Sequence, residues 1–294
     1  MDKVEVSRNL VNKLWNISRY ILTSSKASGN FEAKSEADRW ILWRLNETIA
    51  TVTELLEGFH FSLALEKLRI FTWNEFADWY VEIHKIEKND GVLRHVLDTL
   101  LRLWHPFIPF VTEALFQSLY PNEKNPLMIA TWPSTVPASK PDTMFQNIID
   151  LIQKIRNVRA VYHVDPKEKP WLTIIGDKAA WEPFLPLIER LARIEEIVIT
   201  ENEIQPAETA RIASGNTSVF LHLSGLIDVA KERARLTKEK ESAEKYRLGI
   251  EKRLHDENFT TKAPAHILEQ NHTSLTETTA KIAELDKYLD NLAA

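Results

Sequence analysis

Leu268, Leu275, Ile282 and Leu289 stand seven residues apart near the end of the chain, and Leu285 and Leu292 fill the half-steps. A repeat of that period puts one apolar stripe on a helix and requires a second helix to bury it. The second helix lies upstream, where Val229, Leu236, Ala243 and Ile250 keep the same interval. Between the two stands Ala263-Pro264-Ala265, and proline cannot continue a helix interior. Two helices joined by so short a break fold back antiparallel. Residues 225–294, opening at Gly225-Leu226-Ile227-Asp228, are therefore predicted to form a long coiled-coil hairpin with a dry seam and a charged outside. Such an arm offers no enclosed space for chemistry; it reaches for a partner.

The outgoing helix carries Lys231, Arg233, Arg235, Lys238, Lys240, Lys245, Arg247, Lys252 and Arg253 among Glu232, Glu239, Glu241, Glu244 and Glu251. One reading is a solvated face laced with i,i+4 pairs. The other is an arm that contacts phosphates. The opposite charges balance too nearly for composition to choose. The whole chain of 294 residues has a net charge of −5, so any nucleic-acid binding must use local basic patches.

That length allows two domains and a sizeable core. No apolar run approaches the ~18–20 residues that cross a bilayer. The opening Met1-Asp2-Lys3-Val4-Glu5 is charged and does not resemble a signal peptide. There is no cysteine, hence no disulfide and no thiolate nucleophile or metal ligand. These features predict a cytoplasmic protein without a membrane partner. Only seven glycines fit a mainly helical chain with few tight turns.

Residues 1–120 read as a helical bundle. Leu10, Leu14, Ile17 and Ile21 form a stripe at helical spacing; Ser35 with Asp38 three residues on marks a helix start, and Gly58 its end. Behind Ser35, Ile41, Leu45, Ile49, Val52 and Leu56 define one buried face. Leu65, Leu68, Thr72, Phe76, Trp79 and Ile83 predict the face of a third helix, and Val92, Val96, Leu100 and Leu103 that of a fourth. Pro106 and Pro109 break the chain before a last helix with Val111, Leu115 and Leu119. Five prolines in residues 121–142 predict a linker without helix. Residues 143–224 mix types: a helix from Phe145 to Arg159, a second around Phe184 to Arg193, and strands at 171–175, 197–199 and 219–223. The expected fold class is mainly α: a bundle, a small α/β subdomain with a mostly antiparallel sheet, and the coiled-coil hairpin.

No catalytic constellation emerges. The nine histidines make no HExxH pair or metal-spaced set, and no glycine-rich phosphate loop of the GxxxxGK[ST] or GxGxxG kind occurs. His222 alternates with apolar neighbours and is expected on the solvent side of a strand. Trp40, Trp43 and Trp73 are expected to pack in the bundle or its groove. From spacing alone the chain reads as a binding module, with no catalytic residue and no metal site.

Asn12 to Asn16 with Arg19 to Leu22 resembles the first helix of the anticodon-binding domain of class I aminoacyl-tRNA synthetases, the valyl-tRNA synthetases in particular. Ala37 to Leu45, Trp73 to Glu82, Leu100 to Glu113, Ile155 to Arg159, Gly225 to Asp228 and Asn258 to Ala265 are similar to that family in the same order. The bundle pieces are shared with the isoleucyl and leucyl families; the closing arm with its Lys262-Ala263-Pro264 tip points to the valyl one. The resemblance implies the C-terminal portion of such an enzyme, as a truncated reading frame or a separate polypeptide. The nucleotide-binding domain with its HIGH-type and KMSKS-type signatures and the inserted editing domain are absent from the sequence. ATP and Mg²⁺ would belong to that missing portion, which becomes an implied partner beside tRNA(Val), and the chain alone is not expected to activate valine.

The resemblance further implies that the bundle holds the anticodon and the arm braces the outer corner of the tRNA, the chain acting as a monomer. Asn12, Asn16 and Arg19 share one face of the first helix. Asparagine offers a donor and an acceptor to a base edge, and arginine stacks or grips phosphate. Helix–helix hydrogen bonding is the alternative for both asparagines. Lys13 and Trp15 are neighbours, Trp15 with packing as its alternative, and His84 and Lys85 are candidates for the same groove. Arg156 and Arg159 face the tRNA or a domain interface, or make surface ion pairs. Arg235, Lys238, Arg247, Lys252 and Lys262 are candidates for backbone contacts. Phe259 is expected to cap the seam rather than to serve as a platform for a base. Two other functions are compatible with the residues: a coiled-coil scaffold for protein partners, and an accessory tRNA-binding subunit working in trans.

Overall fold

Ser35 and Asp38 bond each other reciprocally at the start of a helix, the Asp38 amide donating to Ser35 Oγ and the Ser35 amide to Asp38 Oδ2. This capping box opens α2 (Glu36–Glu57), the helix against which much of the first unit packs. The computed structural model describes residues 3–26, 31–202, 206–215, 217–256, 259 and 263–292, and divides into two compact units, 1–146 and 147–294.

The first unit holds α1 (Lys3–Ser24), α2, α3 (Phe61–Ile70), a π-helical segment (Phe71–Tyr80), α4 (Val81–Glu87), α5 (Asp90–Trp104) and α6 (Pro109–Leu119). Leu14, Ile21, Ile41, Leu45, Val96, Leu100 and Trp104 are among its fully buried residues, as the helical periodicities predict. Asn89 caps α5 through the Val92 amide, and Pro109 stands at the first turn of α6, where a missing N–H costs nothing. The Pro-rich stretch is fastened to α2. Asn46 donates to the Val136 carbonyl at 2.7 Å and accepts from the Val136 amide at 2.9 Å, and Trp132 Nε1 donates to Thr53 at 2.9 Å.

Gly58 ends α2 as expected, at φ −80°, and the left-handed residue is Phe59 at φ 60°, so the turn places an exposed phenylalanine where glycine is usual. The third helical stretch is not a single α-helix. Leu68, Thr72, Phe76, Trp79 and Ile83 are buried as expected, but Ala64 rather than Leu65 faces inward, and His84 is buried beside Ile83.

The second unit contains α7 (Thr143–Val161), inside whose first turn the division falls. It continues with β1 (Leu172–Ile175), α8 (Lys178–Trp181), α9 (Leu185–Ala192), β2 (Ile197–Thr200), β3 (Thr209–Ser214) and β4 (Thr217–His222). The sheet order is β2-β1-β4-β3, with β1 parallel to β2 and the other two pairings antiparallel. β3 was not expected from the sequence; it is an edge strand. His222 is buried rather than solvent-facing, held by Thr173 Oγ1 at 2.9 Å and stacked on Trp171.

From β4 the chain enters α10 (Val229–Leu254), capped by Asp228, and returns along α11 (Ala265–Asn291). The two pack together with Leu236, Ile250, Ile282 and Leu285 buried between them, as the heptads predict. The polar seam residues serve their own helix, Asn271 donating to the Ile267 carbonyl and Thr278 to that of Ser274. The root of the arm is fixed. Tyr162 donates to the Tyr288 carbonyl at 2.8 Å, Asn157 to the Tyr288 hydroxyl at 2.6 Å, and Leu292 bridges to Ala210 of β3. Among the described residues no helix is long and apolar enough to cross a membrane.

Candidate nucleic-acid interface

The core of the first unit takes Leu14, Ile17, Ser18 and Ile21 from α1. What remains outward is Asn12, Trp15, Asn16 and Arg19, at i, i+3, i+4 and i+7, all exposed. Asn12 and Asn16 make no side-chain hydrogen bond among the described residues, and exposure rules out helix–helix bonding for both. Trp15 does not pack inward either; 41 % of its surface is open. A row of two free amides, a free guanidinium and an exposed indole presents donors, acceptors, a cation and a stacking face along one line.

The other bundle candidates are committed elsewhere. Lys13 Nζ lies 2.8 Å from Asp78 and 3.9 Å above the Trp73 ring, joining α1 to the π segment. Lys85 is paired with Glu82 at 2.6 Å and lies over Tyr20. His84 is a correction: it is buried beside Ile83, its Nε2 2.9 Å from Asp90 Oδ1, and it lines no groove. Burial pushes the Asp90 carboxyl up, but the Lys26 amide and His84 outweigh it and hold it below the usual carboxylate range.

Arg159 is also a correction. Its side chain is buried, and its guanidinium donates to the carbonyls of Ala192 and Arg193 at 2.9 Å, of Glu168 at 2.8 Å and of Asp165 at 3.5 Å. Burial, then the like charge of Arg193, lowers its pKa. Arg156 donates to the Leu191 carbonyl at 2.9 Å. Both arginines thus serve the orphan carbonyls at the C-terminus of α9, where cations are favoured; Arg159 makes no ion pair among the described residues.

On the arm the candidates divide. Arg235 is held by Glu232 at 2.5 Å, Glu239 at 3.0 Å and the Val161 carbonyl at 2.9 Å, and the Glu232 hydrogen bond raises its pKa. Arg247 faces Glu251 at 3.6 Å. Lys238 and Lys252 are exposed and carry no ion pair, and Lys231 and Lys245, absent from the expected set, are in the same condition. The signal that separates them lies in the sequence. Arg235, Lys240 and Arg247 each have a glutamate four residues on, the spacing that pairs along a helix. Lys231, Lys238 and Lys245 have Arg235, Ser242 and Gly249 there, and Asp256, four beyond Lys252, lies past the end of α10. Lys262 lies outside the described residues. Phe259 is half-buried.

The helices of the arm also differ in charge. α10 carries nine basic and five acidic residues; α11 carries two basic and five acidic. Lys240–Asp286 at 2.5 Å and Lys281–Glu239 at 2.8 Å tie the two together across the seam.

Residues 38–175 match the family model of the anticodon-binding domain of tRNA ligases, and residues 228–293 that of the valyl tRNA synthetase tRNA binding arm. α1 precedes the first matched region. Among curated relatives, the valine–tRNA ligase of Anoxybacillus flavithermus is 36 % identical over 92 % of this chain and 33 % of its own length. That of Syntrophotalea carbinolica is 33 % identical over 100 % of this chain and 35 % of its own, and that of Bacillus cereus 37 % identical over 92 % and 33 %. The chain spans about a third of the length of the curated relatives it matches.

Proposed function

We propose, for a chain that belongs to the valyl-tRNA synthetase family, that its helical unit holds the anticodon of tRNA(Val) and its coiled-coil arm braces the outer corner of the same molecule. The observation that carries this reading is the free face of α1. Asn12, Asn16 and Arg19 stand exposed in one row with Trp15 beside them, and Asn12 and Asn16 have no partner to give up before they meet a base. Anticodon-loop bases splay out, stack on aromatic or guanidinium planes and are read on their edges. Trp15 is the stacking platform, Asn12 and Asn16 are the edge readers, and Arg19 supplies a cation for stacking or for the loop backbone.

In this reading the chain serves the ATP-dependent charging of tRNA with valine as its recognition part, in the cytoplasm and as a monomer. The ATP- and Mg²⁺-dependent step and editing belong to the remaining two-thirds of such a ligase, joined to this chain or supplied in trans. The chain's own work is orientation: two separated grips on one tRNA fix where its acceptor end stands.

The test is binding of the purified chain to tRNA transcripts with a valine or an altered anticodon across a salt series. A preference for the valine anticodon that disappears in Asn16→Ala and Arg19→Ala supports the reading. Salt-sensitive binding indifferent to the anticodon would overturn the anticodon half. Absence of binding at low salt would overturn the whole and favour a protein scaffold.

A further inference from the structure

Lys231, Lys238, Lys245 and Lys252 are spaced seven residues apart, and each stands two residues after a seam position, Val229, Leu236, Ala243 or Ile250. Two residues are about 200° of helical turn, so the lysines run along the crest of α10 directly opposite the seam. The row is about 32 Å long at ~1.5 Å rise per residue. All four are exposed, and none has an ion pair or side-chain hydrogen bond among the described residues. The residues between them on that side include Ala234, Ser242 and Gly249 and one carboxylate, Glu241, four residues before Lys245, all exposed, and a Cβ built on Gly249 would meet nothing. Long cations thus alternate with small side chains over which another molecule can approach closely.

The arrangement is one-sided. Lys240 and Arg247, nearer the seam, and Arg235, at the heptad position of Ser242 and Gly249, face carboxylates, and α11 is net acidic. A solvated face stabilised by its own pairs would have spent the crest lysines in the same way. A scaffold surface for a protein partner would carry apolar anchors along the crest, and Leu248 is the one large aliphatic residue beside it.

We infer that the crest of α10 is a rail for the phosphodiester backbone of a double-helical RNA segment, with Lys231, Lys238, Lys245 and Lys252 as its contacts and α11 turned away. A straight, rigid row of cations about 10 Å apart suits the regular phosphate rows of a duplex; a single strand would not keep such a line. The inference rests on the proposed reading of the arm as an RNA-binding element, and it goes beyond that reading by assigning the face, the residues and the form of the RNA.

The experiment compares the intact chain with K231Q/K238Q/K245Q/K252Q and with the control R235Q/K240Q/R247Q, using a tRNA(Val) transcript and fluorescence anisotropy between roughly 50 and 200 mM salt. Helicity of each variant is checked by circular dichroism. The crest variant should lose about 3 from the slope of log K against log salt, and on the order of a hundredfold in affinity at ~0.1 M salt. The control should lose less than about 1 in slope. A short RNA duplex should displace the tRNA from the wild-type chain better than a single strand of equal length, and lose that advantage on the crest variant. If the quadruple variant loses helicity, K231Q/K238Q and K245Q/K252Q carry the test, each removing about half of the slope change. An unchanged slope in a crest variant, or a single strand competing as well as the duplex, overturns the rail alone. A wild-type chain that binds no tRNA at low salt overturns the reading beneath it.

Discussion

Tyr80 donates its hydroxyl to the carboxylate of Asp38 at 2.5 Å, deep in the first unit. Asn89 donates to the same carboxylate at 2.6 Å, and the amides of Lys34 and Ser35 at 2.9 and 3.3 Å. One buried acid thus ties the start of α2 to the end of the π segment and to the cap of α5. Four donors converge on one site, and its removal strands all four. Asp38→Ala should cost about 3 kcal/mol in urea denaturation, and Tyr80→Phe, which leaves three donors in place, about 1 kcal/mol. Equal costs would mean that the carboxylate is not the hub.

Trp15 should separate binding from folding. Its indole is 41 % exposed and lies on the outward face of α1, so Trp15→Ala should lower stability by about 1–2 kcal/mol and leave the chain folded. As a stacking platform it contributes about 1–3 kcal/mol per base, so affinity for the tRNA should fall tenfold or more. A loss of stability matched by unchanged binding would place Trp15 in the fold rather than the interface.

Arg159 should behave in the opposite way. Four carbonyls depend on its guanidinium. Arg159→Met should destabilise the second unit by about 3 kcal/mol, read by thermal unfolding, while the salt slope of tRNA binding at low temperature stays unchanged. A reduced slope in a folded variant would restore it to the interface.

The arm was legible because one line of its seam, Leu268, Leu275, Ile282 and Leu289, repeats every seven residues although Asn271 and Thr278 interrupt the other. The first turn of α2 was legible because a capping box is a local motif. His84 was not, since its place beside a groove came from the resemblance, and no composition cue in Phe71–Tyr80 marks the π-helical turn ahead of it. β3 escaped because Thr209–Ser214 is short and weakly apolar, and its pairing with β4 supplies what its own pattern lacks. Arg159 was read as a surface cation because a sequence does not reveal a backbone carbonyl that lacks a partner. The crest lysines were within reach, since the glutamates four residues past their neighbours, and missing past theirs, stand in the sequence itself.

Two histidines give the stability a pH dependence of definite sign. Burial lowers the pKa of His95, stacked on Phe31, and of His222, from the ordinary 6.5. The unfolded chain takes up these protons first as pH falls, so their neutral forms favour folding above about 6.5 and that contribution is lost between 6.5 and the lower folded values. The urea midpoint should therefore fall on going from about pH 7.5 to about 5.5. His95→Phe should flatten part of that fall, because it removes one titrating ring whose Nε2 is buried without a partner. A midpoint that rises on acidification would mean that the Glu87 carboxyl, whose pKa desolvation raises, outweighs these rings in the window.

Thr278 is the polar member of the arm's seam that is buried, with its hydroxyl returned to the Ser274 carbonyl of its own helix. That bond satisfies the oxygen but contributes nothing across the seam, and a carbonyl already engaged in the helix needs no second donor. Thr278→Val keeps the shape and replaces the hydroxyl with a methyl in the seam, which should stabilise the hairpin by about 1 kcal/mol. The bonds that join the arm to the sheet unit lie at its root, as at Tyr288 and Leu292, so the gain should appear locally in the tip-ward halves of α10 and α11. Amide hydrogen exchange on both helices should slow by about fivefold, with β1 and β4 unchanged. Uniform slowing across the second unit would mean that arm and sheet open together, and faster exchange would mean that the Thr278–Ser274 bond holds the helix where the seam is weakest.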